Sequence, residues 1–144
     1  MGPSGHALNL YAHPAYRSGN VRYCRLFDIY SLGVTLLEIG LWRCVDSDLD
    51  VQQSPSRVQG LLVQACKEEL GPAMGVNYRE AVRCCLEGDF LVPGLSIPTC
   101  AEPDWESMSK EDIMRAEAAE EKINGGLSEA FYWKVISPLA KLYA

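Results

Sequence analysis

An all-α domain, a helical bundle around a central buried helix, is what this sequence predicts, and three observations predict it. Residues 27–42, FDIYSLGVTLLEIGLW, form a dense apolar run with helical periodicity. Further stretches at 58–66, 78–86 and 132–143 repeat apolar residues at spacings of three and four. No stretch shows the convincing alternation of apolar and polar residues that marks a half-buried strand. The chain has 144 residues, of which 48% are hydrophobic. That length suits one domain able to bury roughly 70% of its unfolded surface, and the composition disfavours wholesale disorder.

The run 27–42 sets the architecture. Asp28 and Glu38 bracket an apolar stretch too short for a membrane span, which takes about 20 mainly apolar residues. A strand of this length would exceed the usual range of roughly 3–10 residues. On a helix, Ile29, Leu32, Leu36 and Ile39 form one stripe, and Tyr30, Val34, Leu37 and Leu41 a second. Ser31, Thr35 and Glu38 leave only a narrow polar seam. Ten large apolar residues lie between Phe27 and Trp42. Each contributes about 1.5–3 kcal/mol when fully buried, and the gross sum exceeds a net stability of about 5–15 kcal/mol. The helix is therefore expected at the domain centre. Asp28 is placed to cap its start. Gly33 costs about 1 kcal/mol of helix propensity relative to Ala, and its expected return is close approach of another backbone.

Ser54-Pro55 predicts an N-cap and first helical residue, followed by an apolar face of Val58, Leu61, Leu62, Ala65 and Cys66. Gly71-Pro72 is expected to stop that helix. Asn77 is expected to cap the next, with Tyr78, Ala81, Val82, Cys85 and Leu86 on one face and Gly88 after it. Residues 91–108, with Pro93, Pro98 and Pro103, read as loop. Ser109 opens KEDIMRAEAAEEKI, and Asn124-Gly125-Gly126 is expected to close it. Ser128 would open a last helix with Tyr132, Val135, Ile136, Leu139, Leu142 and Tyr143 as its stripe, kinked or split at Pro138. Trp133 reads as core and Trp105 as a surface contact.

Charge and reactive side chains narrow the function. Net charge is −6, which disfavours nucleic acid as a partner. Segment 101–122 has three basic and eight acidic residues, 3 − 8 = −5. It reads as a solvated helix face or as a docking surface for a basic partner. Cys24, Cys44, Cys66, Cys84, Cys85 and Cys100 follow no recognisable signal peptide and include no C-x-x-C pair. They read as reduced structural thiols of an intracellular, cytoplasmic protein, with no metal site. His6 and His13, near the start, have no Cys or Ser at a spacing that marks a nucleophile and base.

The residues D-I-Y-S-L-G-V-x-L-L-E-I, from Asp28 to Ile39, resemble the central helix of the protein-kinase large lobe: Asp28, Tyr30, Ser31, Gly33 and Glu38 match in register. Y-A-H-P-A-Y at 11–16 resembles the Ala-Pro-Glu segment that closes the activation region, with Ala15 in place of its Glu. FYWKVISPL at 131–139 resembles the ending of a divergent kinase-like branch common in filamentous fungi. The match is strong over roughly residues 8–45 and weaker at 78–90 and 127–143. The resemblance implies family-like structural anchors at Pro14, Asp28, Ser31, Gly33 and Glu38. Asp28 would then be either a helix cap or an anchor for a segment supplied from elsewhere.

The chemistry of that family needs a glycine-rich phosphate loop, a strand lysine, a catalytic aspartate and a metal-binding aspartate. These residues contain no G-x-G-x-x-G, V-A-I-K, H-R-D-L-x-x-x-N or D-F-G. The expected organisation is a flexible start at 1–10 and a truncated kinase-like large lobe at 11–144, with an acidic insert about 101–122. No catalytic, cofactor-binding or metal residue is assigned. The expected function is a non-catalytic scaffold or interaction module with a protein partner or self-association, and no membrane. One alternative is the C-terminal part of an active ATP-dependent protein kinase, with ATP and Mg held by a missing N-terminal half. The other is an unrelated helical adaptor.

Overall fold

The computed structural model describes residues 11–17, 24–45, 54–93, 95 and 106–141. Among them every regular element is helical, so the all-α expectation stands. The elements are α1 (Pro14–Arg17), α2 (Arg25–Leu41), α3 (Pro55–Ala65), α4 (Gly71–Met74), α5 (Val76–Glu87), α6 (Lys110–Phe131) and α7 (Ser137–Ala140). A π turn at Cys66–Leu70 joins α3 to α4, and another at Tyr132–Ile136 joins α6 to α7.

Two apolar cores meet at α5. The first gathers Tyr30, Val34 and Leu37 of α2 with Val58, Leu62, Cys66 and Leu70, closed by Tyr78, Val82 and Leu86. The second gathers Ala81, Cys84 and Cys85 with Phe90, Leu127 and Val135. Among the described elements, the α2 and α5 helices share the most extensive contact. Gly33 makes it possible, because a Cβ there would sit 2.7 Å from the Cβ of Cys85. The expected close approach is thus to a cysteine Cβ on α5. Tyr78 adds a polar tie, its hydroxyl donating to the Leu36 carbonyl at 2.6 Å.

Burial of α2 covers one face. Phe27, Tyr30, Gly33, Val34, Leu37 and Gly40 are buried. Leu32 is 39% exposed, Ile39 51% and Trp42 88%. The expected central helix is therefore covered on the side of Tyr30, Val34 and Leu37, whereas on the neighbouring stripe Ile29 and Leu36 are partly buried and Leu32 and Ile39 face outward. The Asp28 cap is also corrected. The helix begins a turn earlier, with Cys24 at the N-cap. Asp28 instead lies in the first turn, where the partial positive charge of free N–H groups favours a carboxylate.

Caps at three other ends follow the sequence. Ser54 accepts the Arg57 N–H at 3.4 Å, and Ser109 the Asp112 N–H at 3.2 Å. Gly88 closes α5 in the left-handed region, at φ 68°. Asn77 does not cap α5; Gly75 does, at φ 90°.

Gly71-Pro72 does not stop its helix, and Pro138 splits the last one without ending it. Within an α-helix a proline ring collides with the carbonyl four residues back. Those carbonyls belong to Glu68 and Lys134, and each lies inside one of the two π turns. The wider turn moves the carbonyl aside and lets the helical path continue. Asn124-Gly125-Gly126 fails as a stop for a tertiary reason. Leu127 is buried in the second core, and Gly126 lies against Val92, where an added Cβ would sit 3.1 Å from Cγ1. Packing holds a stretch of poor propensity in the helix. Ser128 is therefore inside α6 and opens nothing.

Trp133 is 62% exposed, stacked edge-on against Tyr132, so its placement in the core is corrected. At this point the helix turns Val135 inward, and the neighbouring Trp133 faces out. Lys134 donates to the Asp89 carbonyl at 2.9 Å, tying the turn to the loop after α5. Most of the 91–108 loop, with Trp105 and Cys100, and also His6, Leu142 and Tyr143, lies outside the described residues.

Candidate functional site

The expected anchors fall on different faces. Ser31 is bridging: its hydroxyl donates to the Tyr11 carbonyl at 2.7 Å and contacts the Phe27 carbonyl at 3.1 Å. Pro14 begins α1, half-buried. Between them His13 sits against Phe27 and Tyr30, with ring centroids 4.9 and 5.1 Å away. Y-A-H-P and D-I-Y-S are thereby brought together. Gly33 faces α5, whereas Asp28 is exposed. Glu38 has one carboxylate oxygen, Oε1, shielded from solvent with no hydrogen-bond partner among the described residues.

His13 is half-buried. Its Nδ1 accepts the Ala15 N–H at 3.0 Å, which places the proton of the neutral ring on Nε2. Burial lowers its pKa from the usual 6.5. The unfolded chain therefore binds the proton first, and stability is lost as pH falls below about 6.5. Urea unfolding at about pH 7 and pH 5.5 is expected to show a larger acid loss for wild type than for His13→Gln. Equal losses would contradict the seating of this ring.

The thiols are suited to packing. Burial pushes Cys66 up to about 11, with Glu80 adding to the effect. Burial pushes Cys85 up to about 12, with the neighbouring thiols Cys84 and Cys66 adding to it. Cys84 is raised for the same first reason. Thiolate is the nucleophile, so these groups are poor ones near neutrality. Among the described cysteines, alkylation of the native chain at about pH 8 is expected to modify exposed Cys44 first and to spare Cys66 and Cys85 until unfolding. Peptide mapping by mass spectrometry checks the order; early modification of Cys85 would contradict it. Among the described residues, no group of three or more His, Cys, Asp or Glu could hold a metal ion.

Two adjoining surface grooves concentrate the remaining chemistry. The outward side of α2 and the end of α6 enclose about 370 Å³, lined by Ile29, Leu32, Leu127 and Phe131, with Arg25, Asp28 and Ser128 at its edge. A second groove of about 420 Å³ runs along α6 past Glu117, Glu120, Glu121 and Asn124. Arg25 and Ser128 line both, and the Arg25 guanidinium donates to the Ser128 hydroxyl at 3.2 Å. This junction is invisible in sequence, since no spacing rule links residues 103 apart. A smaller cavity of about 170 Å³ among Leu37, Leu41, Val45, Leu61 and Leu62 is edged by the Arg43–Glu69 ion pair at 2.7 Å.

The first two grooves together pair an apolar floor with a carboxylate wall. Among the described residues no helix is long and apolar enough to cross a membrane. Compared with protein-family models, with curated proteins and with solved structures, the chain shows no match.

Proposed function

We propose that this chain is a kinase-like helical module that binds protein and transfers no phosphate by itself. The carrying observation is the outward apolar side of α2, where Leu32 stands exposed in the groove with Ile29, Leu127 and Phe131, and Ile39 stands exposed farther along the helix. Exposed apolar side chains gathered at a groove favour an interaction site. The kinase-like part of the reading rests on the matched motifs. It is supported by the contact of the two stretches that carry them, through Ser31 with Tyr11 and His13 with Tyr30. The non-catalytic part rests on the lack of phosphate-cradling and catalytic motifs in these 144 residues.

Purified chain incubated with radiolabelled ATP, magnesium and a generic protein substrate is expected to give no transfer above a blank. A solvatochromic apolar dye is expected to bind it, and less so after Leu32→Asp with Ile39→Asp. Phosphate transfer that survives removal of contaminants would overturn the proposal in favour of an active kinase. Dye binding unchanged by the substitutions would remove its carrying observation.

A further inference from the structure

We propose that the double groove between α2 and α6 docks a basic amphipathic helix from another protein. This deepens the binding role proposed above and rests on it. The floor is apolar at Ile29, Leu32, Leu127 and Phe131. It lies between the sides of two helices, and a third helix can lay its apolar stripe there. The adjoining wall is anionic. The residues lining the two grooves include Asp28, Glu117, Glu120 and Glu121 against Arg25, a balance of 1 − 4 = −3. Arg25 is turned to Ser128. The three glutamates are exposed along α6. An occupant must therefore bring apolar residues on one side and cations on the flank.

A second copy fits poorly. Symmetric pairing presents the same patch from both partners. It would bring together two grooves that each carry a balance of −3, on two chains of net charge −6.

The test uses the full chain and labelled peptides about 18 residues long, roughly five helical turns. One carries Leu at helical spacing among Lys. A second has the same composition with the Leu period broken, and a third replaces Lys by Glu. By fluorescence anisotropy the patterned Lys peptide is expected to bind at least about tenfold tighter than either other peptide. Leu32→Asp, and separately Glu117→Lys with Glu120→Lys and Glu121→Lys, are each expected to weaken it about tenfold with the helical circular dichroism unchanged. Raising salt is expected to weaken it further.

Equal binding of patterned and broken peptides would mean simple charge attraction and overturn the proposal. So would binding that survives Leu32→Asp. A concentration-dependent dimer dissolved by Leu32→Asp would assign the groove to a second copy and overturn it as well. The dye and phosphate-transfer assays use no peptide, so dye binding that persists while the peptides fail would sink the basic-helix proposal and leave the binding role standing, and loss of dye binding would sink that role itself.

Discussion

Gly33→Val is expected to destabilise the fold by about 3 kcal/mol or more, at the upper end of what overpacked cores lose. The added Cβ alone would lie 2.7 Å from the Cβ of Cys85 and 3.3 Å from a Leu86 methyl. Cys85 Cβ is fixed to the α5 backbone, so the collision can be relieved only by separating α2 from α5. Helix propensity favours valine over glycine by a few tenths of a kcal/mol, too little to offset that separation. Gly125 supplies the opposite sign. It sits within α6, and a methyl added there would meet nothing within 4 Å, so Gly125→Ala is expected to stabilise by about 0.5–1 kcal/mol. Urea denaturation followed by circular dichroism measures both. A neutral Gly33→Val would refute the α2–α5 crossing.

Tyr30→Ala is expected to cost about 3–5 kcal/mol, the range for losing a large aromatic from a core. Tyr30 is 1% exposed and lies among Val34, Leu37 and the α3 and α5 side chains of the first core. Against a total of about 5–15 kcal/mol, that loss is large enough to populate unfolded chain at moderate temperature. The ring also seats His13, so the acid sensitivity assigned to His13 should shrink in the same variant. Trp133→Ala removes a larger side chain yet is expected to change stability by less than about 1 kcal/mol, because exposed substitutions seldom do more. A Trp133→Ala loss equal to that of Tyr30→Ala would reverse the placement of the two aromatics.

Local chemistry made part of this fold legible. Ser54, Ser109 and Gly88 act at helix ends through groups within three or four residues, and a sequence displays those directly. The α5 face of Tyr78, Ala81, Val82, Cys85 and Leu86 was legible for a related reason, since its period maps onto one side of one helix. The ends at Gly71-Pro72 and Asn124-Gly126 were not. Each has local residues that favour stopping and a wider setting that overrides them: a π turn in one case, burial of Leu127 beside Val92 in the other. Asn77 lost the cap to Gly75, whose φ of 90° no periodicity announces.

For α2, two adjacent apolar stripes gave no sign of which would face the core. Gly33 and Gly40 decide it, because both lie on the side where α5 and Leu70 come close. The candidate site was legible only in halves. The acidic run and the oily helix are plain in sequence, but their meeting at Arg25 and Ser128 depends on the tertiary path.

Hydroxyl-radical footprinting with residue-level mass spectrometry tests the central claim most directly, namely that α2 buries one face and offers the other. In the unbound native chain, Leu32 and Ile39 are expected to be oxidised readily, while Val34 and Leu37, at 0% and 1% exposure, stay protected until the chain unfolds. Equal protection of all four would mean that the outward side is covered, and strong oxidation of Val34 and Leu37 would mean that the buried face is not; either result contradicts the account.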